Sequence, residues 1–210
     1  AYDLSGRNLN DAAVRDFASR LLTRLRALPG VESGAIANAV PLDIHGLPLR
    51  AFTLEGRARS DAAPERALSN VVTQDYFKTM GIPLRAGQEF AALDDAATPP
   101  QAIVNEAFVH RFLQDVEPLG RGLTNRERRY EIVGVVRNSL NESFGETPTP
   151  VMYLSYRNPV MGQIHLRTRP GNEALLGPDV ERVVRDLDPT LPVYDIRTLT
   201  DHVEKNLFLR

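Results

Sequence analysis

Two segments with helical periodicity, one near each end of the chain, constrain the fold of this sequence more than any other feature. Between Asp11 and Leu28 apolar residues recur at three- and four-residue steps until Pro29-Gly30. Between Glu173 and Leu187 the same spacing gives an apolar face of Leu175, Leu176, Val180, Val183, Val184 and Leu187. A strand-like segment follows each helix, VESGAIANAVPL after the first and PVYDIRT after the second, and each helix has room for a strand before it. The sequence therefore predicts two β-α-β units around one sheet.

The region between these two units has a different composition and predicts further strands with a helix among them. The segments LRAFTLEG, RALSNVVT, YEIVGVVR and VMYLSY are predicted strands, and Gly134 in the third indicates a bulge or a close approach. The segment QAIVNEAFVHRFL changes from strand to helix near Asn105. The turn TNRERR is predicted to bring Arg126, Arg128 and Arg129 together at the tip of a hairpin.

Length and composition narrow the classes of protein that fit. A chain of 210 residues suits one domain with a large insertion or two interleaved subdomains. The net charge of -2 argues against nucleic acid as a partner. The absence of cysteine excludes disulfides and a thiol nucleophile, and it fits both the cytosol and an extracytoplasmic location. No apolar run is long enough for a membrane helix and the first residues lack signal-peptide features, so we expect any such segment to lie outside this chain.

No sequence pattern points to catalysis or to a bound metal or cofactor. The four histidines have no spacing that would place two ligands on one helical face. The chain also lacks the Gly-x-Ser-x-Gly, phosphate-loop and Gly-x-Gly-x-x-Gly motifs. We therefore predict no catalytic, cofactor-binding or metal-binding residue.

The segment VVTQDYFKTMGIPLRAGQEF, residues 71–90, has the most orderly local pattern. Tyr76, Phe77 and Met80 fall on one side of a two-turn helix, which Gly81 and Pro83 end. Aromatic residues at this spacing are typical of a core. We predict that these five residues form a structural junction, where the aromatic side chains enter the core and the chain turns into the middle region.

Five segments in order carry a resemblance to a known family: VVTQDYFKTMGIPLRAGQEF, QAIVNEAFVHRF, EPLGRGL, YEIVGVVRNSL and PVMYLSY. Together with RLRALPGVESGAIANAVPL and RDLDPTLPVYDIRTLTDHV near the ends, they resemble the extracytoplasmic (periplasmic) core domain of MacB-like and FtsX-like ABC-transporter permeases. The resemblance covers nearly the whole chain and is greatest to the duplicated orphan permeases common in acidobacteria.

The resemblance implies an α+β fold in which a porter subdomain of two β-α-β units sharing a sheet carries an inserted, mixed α/β sabre subdomain. The expected ranges are 1–74 for the first part of the porter, 75–148 for the sabre and 149–210 for the second part of the porter. The last helix, with Leu199, Val203 and Leu207 along one side, is then expected to lead toward a membrane helix outside this chain.

The resemblance also implies a non-catalytic role. Such a domain lies on the extracytoplasmic side of the bacterial inner membrane, binds substrate or an adaptor, and transmits conformational change across the membrane for export or envelope transport. The implied partners are a second permease protomer or repeat, a separate cytoplasmic ATPase and a periplasmic adaptor. Orphan permeases often lack an adjacent ATPase gene, which leaves the coupling to ATP open. The excised domain is expected to be a monomer.

The projecting surfaces of the inserted subdomain are the predicted partner contacts, namely Arg126, Arg128, Arg129 and the loop around Phe144. The competing interpretation of the arginines is an ordinary solvated hairpin. For the whole chain, the alternatives are an unrecognised soluble hydrolase and a free-standing periplasmic binding protein.

Overall fold

The computed structural model describes residues 1–56, 64–93, 95, 97–114, 116–141, 145 and 147–207. These residues contain the α-helices α1 (Asp11–Arg26), α2 (Tyr76–Met80), α3 (Glu106–Phe112), α4 (Gly177–Leu187) and α5 (Leu199–Leu207). Two of the helices begin as the sequence predicts, because the side chains of Asn10 and Asn105 accept hydrogen bonds from the backbone of the first turn of α1 and α3.

The strands of the described residues join in one mixed sheet. They are β1 (Tyr2–Asp3), β2 (Val31–Ala37), β3 (Leu49–Leu54), β4 (Glu65–Val72), β5 (Leu84–Gly87), β6 (Gln101–Asn105), β7 (Gly122–Asn125), β8 (Arg128–Val136), β9 (Val151–Ser155) and β10 (Met161–Thr168). Their order is β1-β10-β2-β4-β3-β7-β8-β6-β9, with β5 paired to β8. The register shift between β6 and β8 lies beside Gly134, where a Cβ atom would come 2.7 Å from the Gln88 carbonyl oxygen. The predicted bulge is therefore confirmed.

A further pairing closes part of this sheet into a ring. Residues 68–72 of β4 pair in parallel with residues 151–155 of β9. As a result β4, β3, β7, β8, β6 and β9 form a closed ring in which each strand bonds to the strand on either side. The ring surrounds a core that includes Phe52, Phe108 and Tyr130. Its strands come from both sides of the predicted boundaries at 74/75 and 148/149, so the division into subdomains stays a prediction.

The terminal elements pack on the remaining strands. Helices α1 and α4 contact each other and cover one face of β2 and β10, where Ile36, Ile164 and Leu166 join their core. The opposite face carries Ala35 and Ala37, which belong to a third core with α2. The mixed α+β architecture that the sequence predicts is confirmed.

The second terminal unit departs from its prediction in two places. The segment PVYDIRT is not a regular strand: Ala1 and Tyr194 exchange two backbone hydrogen bonds, but β1 has only two residues and Asp195 has a left-handed backbone with φ of 59°. Leu175 lies in a 3₁₀ turn before α4 rather than on its apolar face, and its side chain is 70% exposed. The prediction of a single helix from Glu173 was wrong because the chain first makes this tighter turn.

Candidate functional site

The helix α2 is short, and a residue with a left-handed backbone lies at each of its ends. Asp75 precedes it in a left-handed conformation with φ of 65° and provides no side-chain cap. At the other end Gly81 has φ of 71°, and the amide of Ile82 donates to the Phe77 carbonyl at 2.8 Å. This left-handed backbone favours glycine, because residues with a side chain rarely adopt it. The predicted helix and its glycine stop are confirmed.

The aromatic residues of α2 lie at the meeting point of several strands. Tyr76 and Phe77 are each 1% exposed. The Phe77 ring packs edge-on to Tyr153 of β9 with centroids 4.9 Å apart, and it also contacts Phe90. The Tyr76 ring contacts Tyr153 and, at 5.9 Å, the imidazole of His165 on β10. This cluster links strands of the closed ring to strands of the terminal units.

Burial changes the acid-base properties of this aromatic cluster. Desolvation raises the pKa of Tyr153 to about 12 and raises the pKa of Tyr76 further. Desolvation also lowers the pKa of His165 to about 4, and its Nε2 atom is buried without a hydrogen-bond partner. All three side chains are therefore neutral at pH 7, which suits packing rather than proton transfer.

The other predicted junction residues lie at the edge of the cluster. Met80 is half-buried and packs against it. Pro83 is exposed, and its carbonyl accepts a hydrogen bond from the Arg137 amide at 2.9 Å. The five predicted residues are thus together in space, while their role as a junction stays a proposal.

A set of polar contacts holds α2 to the terminal units. The Arg26 guanidinium donates to the Gly34 carbonyl at 2.7 and 3.0 Å and forms an ion pair with Asp75 at 3.0 Å. Arg167 donates to the Thr79 carbonyl at 2.9 Å, in the last turn of α2. The hydroxyls of Thr79 and Ser33 lie 3.1 Å apart. No sequence pattern pointed to these contacts, because the partners are far apart in the chain.

The predicted arginine turn forms the tip of the β7–β8 hairpin, where Asn125 pairs with Arg128. Arg126, Arg128 and Arg129 are all exposed. They are not one group, however: the Arg129 side chain donates two hydrogen bonds to Glu55, at 2.7 and 2.9 Å. Phe144 lies outside the described residues.

A groove of about 640 Å³ runs along the exposed side of α3. Its lining includes Glu106, His110 and Arg111 of the helix, and Pro148 and Pro150 of the segment opposite. Among the described side chains, no hydroxyl group forms a hydrogen bond with His110 that would let this histidine activate it. Over the same described part of the chain, no three metal-ligating side chains come together, and no helix is long and apolar enough to cross a membrane.

The comparisons with solved structures agree on the fold. The chain is similar to the periplasmic region of MacB from Actinobacillus actinomycetemcomitans, with 12% identity, a TM-score of 0.58, and coverage of 88% of this chain and 81% of that one. It is also similar to the extracellular domain of the noncanonical ABC-type transporter YknZ from Gram-positive bacteria, with 13% identity, a TM-score of 0.54, and coverage of 79% and 81%. No curated protein sequence matches the chain significantly.

The family comparison covers most of the sequence. The profile of the MacB-like periplasmic core domain matches residues 4–182. Domains of this family are non-catalytic parts of ABC-type permeases and lie outside the cytoplasm. The predicted class of protein, an ABC-type permease, and the predicted extracytoplasmic location are therefore confirmed. This chain belongs to the MacB-like periplasmic core domain family.

Proposed function

We propose that this domain transmits conformational change between the membrane part of an ABC-type permease and a substrate or adaptor outside the cytoplasm. One observation carries the proposal. The core around Tyr76 and Phe77 of α2 contains residues from β2 of the terminal units together with residues from β6, β8 and β9 of the ring. A continuous close-packed core has low compressibility, so a displacement at one side is passed to the other with little loss.

A reversible cross-link tests whether α2 moves with the sheet as one body. Because the chain has no cysteine, Ser33→Cys with Thr79→Cys introduces a single disulfide where the two hydroxyls now lie 3.1 Å apart. The full-length permease with its ATPase should transport equally well in the oxidised and the reduced form. Loss of transport on oxidation and recovery on reduction would overturn the proposal, and Thr79→Cys alone is the control.

The full assembly is part of the same proposal. Family membership supports anchoring by transmembrane helices outside this chain, a second protomer or repeat, and ATP hydrolysis by a separate cytoplasmic subunit. The flanking sequence of the gene tests this arrangement, which needs one apolar helix before Ala1 and three after Arg210. A complete gene without such helices would contradict it.

We also propose the β7–β8 hairpin as a contact surface for a partner, with Arg126, Arg128 and Arg129 as its predicted residues. The support is its position, since the turn lies at the end of the β7–β8 pair and all three side chains are exposed. Charge reversal at the three arginines should weaken partner binding or transport in the full-length protein. Unchanged behaviour of that variant would remove the hairpin from the proposal.

A further inference from the structure

The turn at the tip of the β7–β8 hairpin has an unfavourable backbone for its sequence. Arg126 has φ of 47° and Glu127 has φ of 67°. A two-residue hairpin turn with positive φ at both positions strongly prefers Asn-Gly, since other residues are strained there. Compared with Asn-Gly, Arg126 and Glu127 therefore lower the stability of the fold, and their exposed side chains add no apolar packing to the core. Strain of this kind is concentrated at functional sites.

The neighbouring strands place further arginines on one side of this turn. Arg128 alternates with Arg129, so it lies on the same face of β8 as Tyr130. On β3, Arg50 lies on the same face as Phe52, and Phe52 and Tyr130 belong to one core. Arg50 and Arg128 are thus on one face of the sheet, on strands separated only by β7. The register places Arg128 across β7 from Phe52, so Arg50 lies two residues further along β3 and about 12 Å from Arg128 at the backbone.

Among the described residues, no ion pair balances the charges of this group. Arg50 is half-buried, and its pKa is lowered first by burial and then by the charge of Arg126. Within the described part of the chain, no acidic side chain forms an ion pair with Arg50, Arg126 or Arg128. The carboxylate of Glu127 lies in the turn, but it is outnumbered by the three guanidinium groups.

We propose that Arg50, Arg126 and Arg128 bind carboxylate side chains of an acidic segment in a partner protein. The proposal rests on the proposed role of the hairpin as a contact surface, and it changes the residues that form that surface. Arg50 joins the site, whereas Arg129 leaves it because Glu55 already occupies its guanidinium.

Carboxylate is the ligand that the local chemistry favours. The planar guanidinium group donates two parallel hydrogen bonds to a carboxylate, and the Arg129–Glu55 pair shows this geometry on the same hairpin. The net charge of -2 for the whole chain argues against a nucleic acid at this small positive site. An acidic protein segment offers carboxylates without requiring a broad basic surface.

Binding of a labelled poly-glutamate peptide to the 210-residue chain tests the proposal by fluorescence polarisation. Arg50→Gln and Arg128→Gln should each weaken binding about threefold to tenfold, and added salt should weaken it further. Arg129→Gln is the matched control and should change affinity less than twofold. Equal effects at Arg129 and Arg50, or preferential binding to phosphatidylserine vesicles, would overturn the proposal.

A second variant separates binding from stability. Replacing the turn by Arg126→Asn with Glu127→Gly gives it the preferred sequence, so the melting temperature should rise by about 2 to 4 °C while peptide affinity falls. Unchanged affinity in this more stable variant would remove the turn from the site.

The two proposals fail separately. If Arg50→Gln with Arg128→Gln leaves peptide binding unchanged, the acidic segment is excluded, and a loss of transport from the hairpin charge reversal would still support a partner contact. If that charge reversal leaves transport unchanged in the full-length permease, the contact surface itself is excluded.

Discussion

The helices α2 and α5 differ in the side chains that they bury. Helix α2 buries Tyr76 and Phe77 in an aromatic cluster. Helix α5 instead buries His202 and Asn206, while its Leu199 is 47% exposed. Apolar packing is non-directional and independent of pH, whereas buried polar contacts depend on geometry and protonation. The comparison implies a firmly fixed α2 and an α5 whose attachment is weaker.

The polar contacts of α5 fix the protonation state of His202. The Asn206 amide nitrogen donates to the Leu42 carbonyl at 3.2 Å and lies 3.0 Å from Nε2 of His202. Because a carbonyl only accepts hydrogen bonds, the nitrogen faces both groups, and Nε2 must accept. The imidazole is therefore neutral in this arrangement. Burial lowers its pKa first and Arg197 lowers it further, while Asp43, 3.7 Å away, acts in the opposite direction.

Removal of the Phe77 ring should have the largest effect, because it tests the strongly held side of the comparison. Phe77→Ala leaves a cavity between β9 and the segment that contains Phe90, so we expect the free energy of unfolding to fall by about 3 to 5 kcal/mol in a urea titration. Tyr194→Ala is the control, since this aromatic ring is 55% exposed and should change stability by less than about 0.5 kcal/mol. A loss at Phe77 as small as that of the control would show that the ring is not a structural junction.

Acid should weaken the fold through His165, which contacts Tyr76 and whose pKa is lowered first by burial and then by the charge of the N-terminal amino group. A histidine whose folded-state pKa lies below its unfolded value contributes stability in full above about pH 6.5, and this contribution is lost as the pH falls toward the folded pKa. With a folded pKa of about 4, the loss between pH 7 and pH 5 should be about 2 kcal/mol.

Urea titrations at the two pH values measure this effect. The variant His165→Leu should show a difference between pH 7 and pH 5 that is smaller by about 2 kcal/mol. His110→Leu serves as the control because this histidine is exposed, and it should retain the difference of the parent chain. Equal pH dependence in the parent and in His165→Leu would contradict the assignment.

Asn206→Ala should loosen α5 without disturbing α2. The substitution leaves the Leu42 carbonyl and Nε2 of His202 without their donor, which costs about 1 to 2 kcal/mol. Amide hydrogen exchange in α5 should accelerate about fivefold to thirtyfold, while exchange around α2 stays the same. Lys205→Ala, at an exposed neighbouring position, should leave both unchanged. Equal acceleration in both helices would show that they open together and would remove the contrast between them.

The same contrast explains which features the sequence predicted. Helix α2 was predictable because its aromatic spacing and Gly81 act within a few residues. The ring closed by β4 and β9 was not, since that pairing joins segments about 80 positions apart and no local pattern specifies it. The sequence also contains a local signal for the burial of His165. This residue alternates with Ile164 and Leu166, so its side chain lies on the face of β10 opposite to theirs, and the sheet is covered on both faces.

Helix α5 shows that apolar periodicity does not reveal every side chain that a helix buries. Leu199, Val203 and Leu207 recur at four-residue steps, whereas the buried side chains among the described residues of α5 are His202 and Asn206. Leu199→Ala should therefore lower the free energy of unfolding by less than about 0.5 kcal/mol, below the effect of Asn206→Ala. Urea titration of both variants measures the order. If Leu199→Ala were the more destabilising of the two, α5 would be held by its apolar side, and the contrast with α2 would disappear.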